Sequence, residues 1–109
     1  MRVYTEQLTA DDTDVFAGTQ LDTLQSGGQL DIWMLSSQAD SIASLFGPGN
    51  EPVATSIEIS NEARVPRPND DTPFTLVIQK AGHYTLNVDI VTAATVYIVA
   101  AYREAGIDF

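Results

Sequence analysis

His83 is the only histidine, and the chain has no cysteine, so any imidazole base or metal ligand has to be this one residue. It falls on the polar side of an alternating run in which Tyr84, Leu86, Val88 and Ile90 take the other side, which marks it as an ordinary exposed residue. One imidazole does not make a histidine-rich metal site. Carboxylates are more plentiful, with Asp11, Asp12 and Asp14 in one cluster and Asp70 and Asp71 in another. Counted from Asp12, Asp14 takes the third place of a calcium loop, but Phe16 takes the fifth and Ala17 the sixth, where the sharp turn needs glycine. These read as solvated acidic turns. Fifteen acids always contain pairs that could be set out for glycoside hydrolysis, and nothing marks two of them as buried. Gly47-Pro48-Gly49 lacks the lysine and the helix of a phosphate loop, so it reads as a turn. No catalytic, cofactor-binding or metal-binding set emerges, and the expectation is a protein that is not an enzyme and carries no cofactor.

Residues suited to contact stand out more. Trp33 could stack on a sugar ring if exposed, although a tryptophan inside a mostly apolar strand is more often core. Arg64 and Arg67 lie in a connection bearing Pro66, Pro68 and Pro73, beside Asp70 and Asp71. They pair locally there, or they form an arm that reaches an acidic neighbour.

The elements that must position these residues are all strands. Residues 95–102 are apolar on both faces, with Val96, Ile98, Ala100 and Tyr102 on one and Tyr97, Val99 and Ala101 on the other. One set fills a core, and the other needs a second layer, for which another copy or another protein is the expected source. Residues 29–36 are similarly two-faced, with Leu30, Ile32 and Met34 opposite Asp31, Trp33 and Leu35. Residues 74–79 place Phe74, Leu76 and Ile78 inward, and Lys80-Ala81-Gly82 is expected to join them to residues 83–90 as a hairpin of an antiparallel meander. Val53, Thr55, Ile57 and Ile59 form another inward set. Shorter strands are expected at residues 2–8 and 15–21. Residues 37–46 fit a helix capped by Ser37-x-x-Asp40 or a strand at 41–46, and the strand is preferred because its surroundings are all β. The reading is an all-β chain, a single-domain antiparallel β-sandwich of jelly-roll type over residues 1–109.

Composition bounds the partners. A formal charge of −10 repels phosphate backbones and anionic membrane surfaces, so neither nucleic acid nor membrane is an expected partner. No apolar stretch approaches the ~20 residues that span a bilayer, and no cationic segment leads into an apolar one at the start, so the chain is expected to be made in a cytoplasm. Without disulfides, stability has to come from packing or from partner subunits.

The stretch from Arg64-Val65-Pro66-Arg67-Pro68 to Phe74, followed by residues 82–88 and then by Asp89-Ile90-Val91-Thr92-Ala93-Ala94-Thr95-Val96, resembles small all-β virion proteins of tailed bacteriophages. The resemblance covers the C-terminal half and is one of pattern and turn chemistry. It implies a role in decorating or cementing a capsid, made in a host cytoplasm and carried on the virion surface, and a homotrimer or other homo-oligomer in contact with the major capsid protein or another virion protein. The expected interface uses Val96, Ile98, Ala100 and Tyr102 or the opposite set, with Trp33 as an anchor and Arg64 and Arg67 as polar contacts. The alternative is a carbohydrate-binding β-sandwich module on a virion or cell surface, which requires an exposed Trp33 or a pair of exposed tyrosines.

Overall fold

Strands form where apolar and polar residues alternate, and the computed structural model, which describes all of residues 1–109, contains no helix. In chain order they are β1 (Arg2–Leu8), β2 (Gln29–Ser36), β3 (Ile42–Phe46), β4 (Pro52–Glu58), β5 (Ser60–Asn61), β6 (Phe74–Val77), β7 (Thr85–Asp89) and β8 (Val96–Arg103). They make two sheets. In the larger, β8 lies between β1 and β2, while the other edge of β2 pairs with β6 at Gln29 to Ile32 and, in parallel, with β5 at Leu35 and Ser36. In the smaller, β3 lies between β4 and β7. Asp12 adds one antiparallel bridge to Val88 on β7.

The pairs β1/β8, Asp12/β7, β2/β6 and β3/β4 are successive stretches of one long antiparallel hairpin. Rolling that hairpin up puts the first and third pairs in one sheet and the second and fourth in the other. This is jelly-roll connectivity, with its second strand worn down to a single bridge.

The two inner faces meet in one core, built from Leu30, Ile32, Ala43, Leu45, Leu86, Val88 and the inward side of β8. Four more core residues, Val15, Phe16, Leu21 and Leu24, come from the connection between β1 and β2. The strand expected at residues 15–21 does not form. That stretch runs through tight turns, with the N–H groups of Ala17, Thr19 and Asp22 donating to carbonyls three residues back at 3.1–3.3 Å. Turns aim successive apolar side chains at one target without any period, so their burial leaves no alternation to read.

The expected hairpin across Lys80-Ala81-Gly82 is also absent. β6 belongs to the larger sheet and β7 to the smaller, so the chain crosses between sheets there. Gly82 serves a close approach instead: it sits at φ 143, where an added Cβ would lie 2.8 Å from the Cβ of Pro48. Its backbone exchanges two hydrogen bonds with Leu24, each 2.9 Å. The strand preferred within residues 37–46 does form as β3, and Asp40 at φ 74 turns the chain into it. On β4, Val53 and Ile57 pack inward as expected, but Thr55 is exposed. The β3–β4 register shifts twice and Ser56 takes φ 54, so a bulge rotates the residues beside it out of alternation.

Candidate interaction face

β2 and β8 are neighbours at the middle of the larger sheet, paired from Gln29↔Arg103 to Ser36↔Val96. This register fixes which side chains share a face. Leu30 and Ile32 lie opposite Tyr102 and Ala100 and point inward, whereas Asp31 and Trp33 lie opposite Ala101 and Val99 and point outward. Val96, Ile98, Ala100 and Tyr102 are therefore core residues, none more than 1% exposed. As interface residues they are corrected: the opposing sheet covers them within the same subunit. The outward set is the one left to be covered, and its centre is a separate cluster of Trp33, Val99 and Ala101.

The proline-bearing connection after β5 supplies most of that cover. Trp33 is only 8% exposed, and its indole N–H donates to the backbone carbonyl of Asp71 at 2.9 Å. The Asp71 carboxylate in turn accepts both terminal nitrogens of Arg64, at 2.8 and 2.7 Å, and the backbone N–H of Arg67 at 2.7 Å. Arg64 also reaches Glu62 at 2.6 Å. Of the three polar and aromatic residues singled out, Trp33 and Arg64 thus converge on Asp71, and Arg67 joins through its main chain while its side chain stays exposed. Arg64 pairs locally, and Trp33 offers no open platform for a sugar. Local pairing of these arginines beside Asp70 and Asp71 was one of the two expectations; that Asp71 also organises the arm around Trp33 was not legible, because in sequence it looks like any loop acid.

The hydrogen bonds from Arg64 and then from the Arg67 N–H hold the Asp71 carboxyl down at about 2, and Asp71 in turn raises Arg64 above the ordinary guanidinium range. The folded carboxyl stays ionised to lower pH than a free one, so the arm is gripped above the ordinary value of 3.8 and let go as pH falls toward 2. Asp71→Ala is expected to free the arm at neutral pH. Trypsin should then cut the Arg64–Val65 bond about tenfold faster or more than in wild type, followed by mass spectrometry, while the far-ultraviolet spectrum of the sheets is unchanged. Equal cleavage rates would show that Asp71 does not hold the arm.

On either side of the arm the face is hollow, with apolar and polar side chains mixed. One hollow, of about 320 Å³, sets Met1, Val3, Trp33, Val99 and Ala101 beside Asp31 and Arg103. Another, of about 360 Å³, lies where Val65 on the arm meets Thr5, Gln7 and Tyr97. Met1, Val3, Val65 and Val77 are between 41% and 68% exposed, and all four belong to this side, since Val3 lies opposite Ala101 and Val77 opposite Gln29. Ile107 and Phe109, the other large exposed apolar side chains, lie in the turn after β8. The smaller sheet carries none of them. Its outward positions include Ser44, Glu58, Asn87 and Asp89, together with the half-buried Ile42 and Phe46.

Asp31 is the buried acid of this face, with its carboxylate accepting from Thr75 Oγ1 at 2.6 Å, Gln29 Nε2 at 3.2 Å and Arg103 Nη2 at 3.4 Å. Its signal in the sequence was there, an acid between Leu30 and Ile32 in a two-faced strand, but the partners come from three different strands. The arrangement offers shape and apolar area rather than a nucleophile beside a base. Comparison with known protein families, with curated proteins and with solved structures finds no match to this chain.

Proposed function

We propose that this chain is a non-enzymatic virion structural protein, one that decorates or cements a phage capsid and docks through the outer face of its larger sheet. The observation that carries this reading is segregation: the exposed large apolar side chains gather on and beside the larger sheet, while the smaller sheet exposes none and carries the exposed acids Glu58 and Asp89. A soluble domain with no partner has no reason to keep them together. Jelly rolls are used for capsid and lectin domains alike, so the fold narrows the class without choosing within it. The lectin-like reading needs an exposed Trp33 or a pair of exposed tyrosines, and Trp33, Tyr84 and Tyr102 are buried while Tyr4 and Tyr97 are only half-buried. No observation favours it. In the proposed role the acidic side faces solvent, and copies of the chain or the major capsid protein cover Met1, Val3, Val65 and Val77. Cyclic symmetry, with a trimer as the expected count, would let each copy cover its neighbour.

Light scattering on the purified protein, with and without Val3→Glu, tests self-association. The wild type is expected to run as a homo-oligomer and the variant as a folded monomer with an unchanged far-ultraviolet spectrum, because a charge at an exposed edge of the face blocks docking without touching the core. Copurification with intact particles in fixed stoichiometry tests the virion role. A strictly monomeric wild type that is absent from particles would overturn the proposal.

A further inference from the structure

His83 is not the free surface residue that its strand suggested. It is half-buried, with its ring held between two acids of the connection from β1 to β2. Nε2 lies 2.8 and 3.0 Å from the carboxylate oxygens of Asp14. Nδ1 lies 2.6 Å from the backbone carbonyl of Asp22 and 3.3 Å from its carboxylate. Every atom facing the ring nitrogens is an acceptor. A neutral imidazole has one N–H, so it would turn a lone pair toward one of these oxygens, whereas the imidazolium donates to both. The Asp22 carboxylate is itself held by the Gly18 N–H, and the backbone of Asp14 is held by donating to Asp12, both at 2.9 Å.

We propose that protonated His83 is a pH-governed latch that fastens the core-filling segment, residues 12–24, onto the crossing between the sheets. The latched segment is the one that sends Val15, Phe16, Leu21 and Leu24 into the core. It is also fastened by the Asp12–Val88 and Leu24–Gly82 bridges, by the Val15 N–H donating to the Leu86 carbonyl at 3.0 Å, and by Arg2, which donates to the carbonyls of Gln20 and Thr23, and His83 lies next to the Leu24–Gly82 bridge. Loss of the proton makes one of the two acids let go, and the segment loosens while both sheets stay paired.

The charged groups facing the ring are Asp14 and Asp22, both on the segment, while Lys80, on the same stretch as His83, stands 3.9 Å from Glu51 instead. Partial burial alone would push the imidazolium down. The hydrogen bonds to Asp22 and Asp14 and the attraction of both carboxylates outweigh it, so the folded protein binds this proton more tightly than the unfolded chain does. The latch therefore contributes fully below the ordinary histidine value of about 6.5 and is lost as pH rises through the higher folded value.

Because there is one histidine, a single imidazole Cε1–H resonance reports its titration. It is expected to titrate above 6.5 in wild type and lower in Asp14→Asn, which keeps the shape and removes one charge. A mere effect of the overall charge of −10 would leave the two nearly alike, and that result would overturn the proposal. Across the same pH window the wild-type melting temperature should fall and that of His83→Gln should not. Exchange of the Leu24 and Gly82 amides, corrected for intrinsic rate, should quicken by about tenfold for each pH unit by which the titration is raised. Parallel melting profiles, or exchange indifferent to the proton, would also overturn it. If His83→Gln fails to fold, the Asp14→Asn titration and wild-type exchange decide alone. None of these readings depends on what the outer face docks on.

Discussion

Phe16→Ala is expected to remove about 3–5 kcal/mol of stability, the range for truncating a buried phenylalanine. Phe16 is fully buried and stands edge-on to Tyr4 with ring centroids 6.3 Å apart, although no strand or helix holds it. The turns around it are closed by hydrogen bonds of 3.1–3.3 Å, so they bring the ring back to the same place in every molecule. Removing the ring leaves a cavity between two sheets that are hydrogen-bonded along their lengths and have little freedom to close over it. Small domains have about 5–15 kcal/mol in total, so the loss is a large share. Urea unfolding should show a much lower midpoint with an unchanged slope. Phe46→Ala, at a half-buried position, is the comparison, and equal midpoints for the two would show that the segment is peripheral.

Gly28→Ala is expected to cost about 1–3 kcal/mol, the range for overpacking. An added Cβ at residue 28 would lie 2.5 Å from Cε1 of Tyr102 and 2.6 Å from its hydroxyl oxygen. The ring has no room to retreat. Its hydroxyl accepts from the Gln25 N–H at 2.9 Å and donates to the Gln25 carbonyl at 3.0 Å, and the Arg2 guanidinium lies 4.7 Å from the ring centre on β8's other neighbour. Gly49→Ala is the control, since the Cβ there would meet only the movable carboxylate of Glu51. Thermal melting of the two variants should separate them by several degrees. A neutral Gly28→Ala would mean that Tyr102 is less firmly held than its contacts say.

Much of the fold was legible because alternation is a local property. The runs that became β2, β7 and β8 announced themselves, β3 was preferred to a helix only because its surroundings were β, and the all-β, jelly-roll reading followed from them. What alternation lacks is partner choice. Residues 74–79 and 83–90 have the pattern of a hairpin, yet Pro48, 34 residues before Gly82, packs against the glycine where the chain crosses instead. Nor does alternation tell inside from outside in a strand that is apolar on both faces. Val96 and Val99 are equally apolar, and only the pairing of Trp33 with Val99, beneath an arm from residues 62–73, reveals which side is covered by the chain's own loop. The neighbouring Arg64 and Asp71 were readable as an ion pair, but their hold on Trp33 depends on a backbone carbonyl, and carbonyls are the same in every sequence.

β8 is synthesised after β1 to β7, yet it lies between β1 and β2. Until residues 96–103 leave the ribosome, β1 has no strand to pair with and β2 has an open edge, whereas β3, β4 and β7 can already join one another. Closing Arg2 onto Tyr102 also spans far more chain than closing β3 onto β4, which makes it the slower event. The nascent chain therefore waits with unpaired edges and a bare apolar face, the surfaces by which partly folded β proteins stick to each other. The acidic excess, most of it already present before β8 is made, sets neighbouring nascent copies against one another during that wait, before β8 slides into the gap.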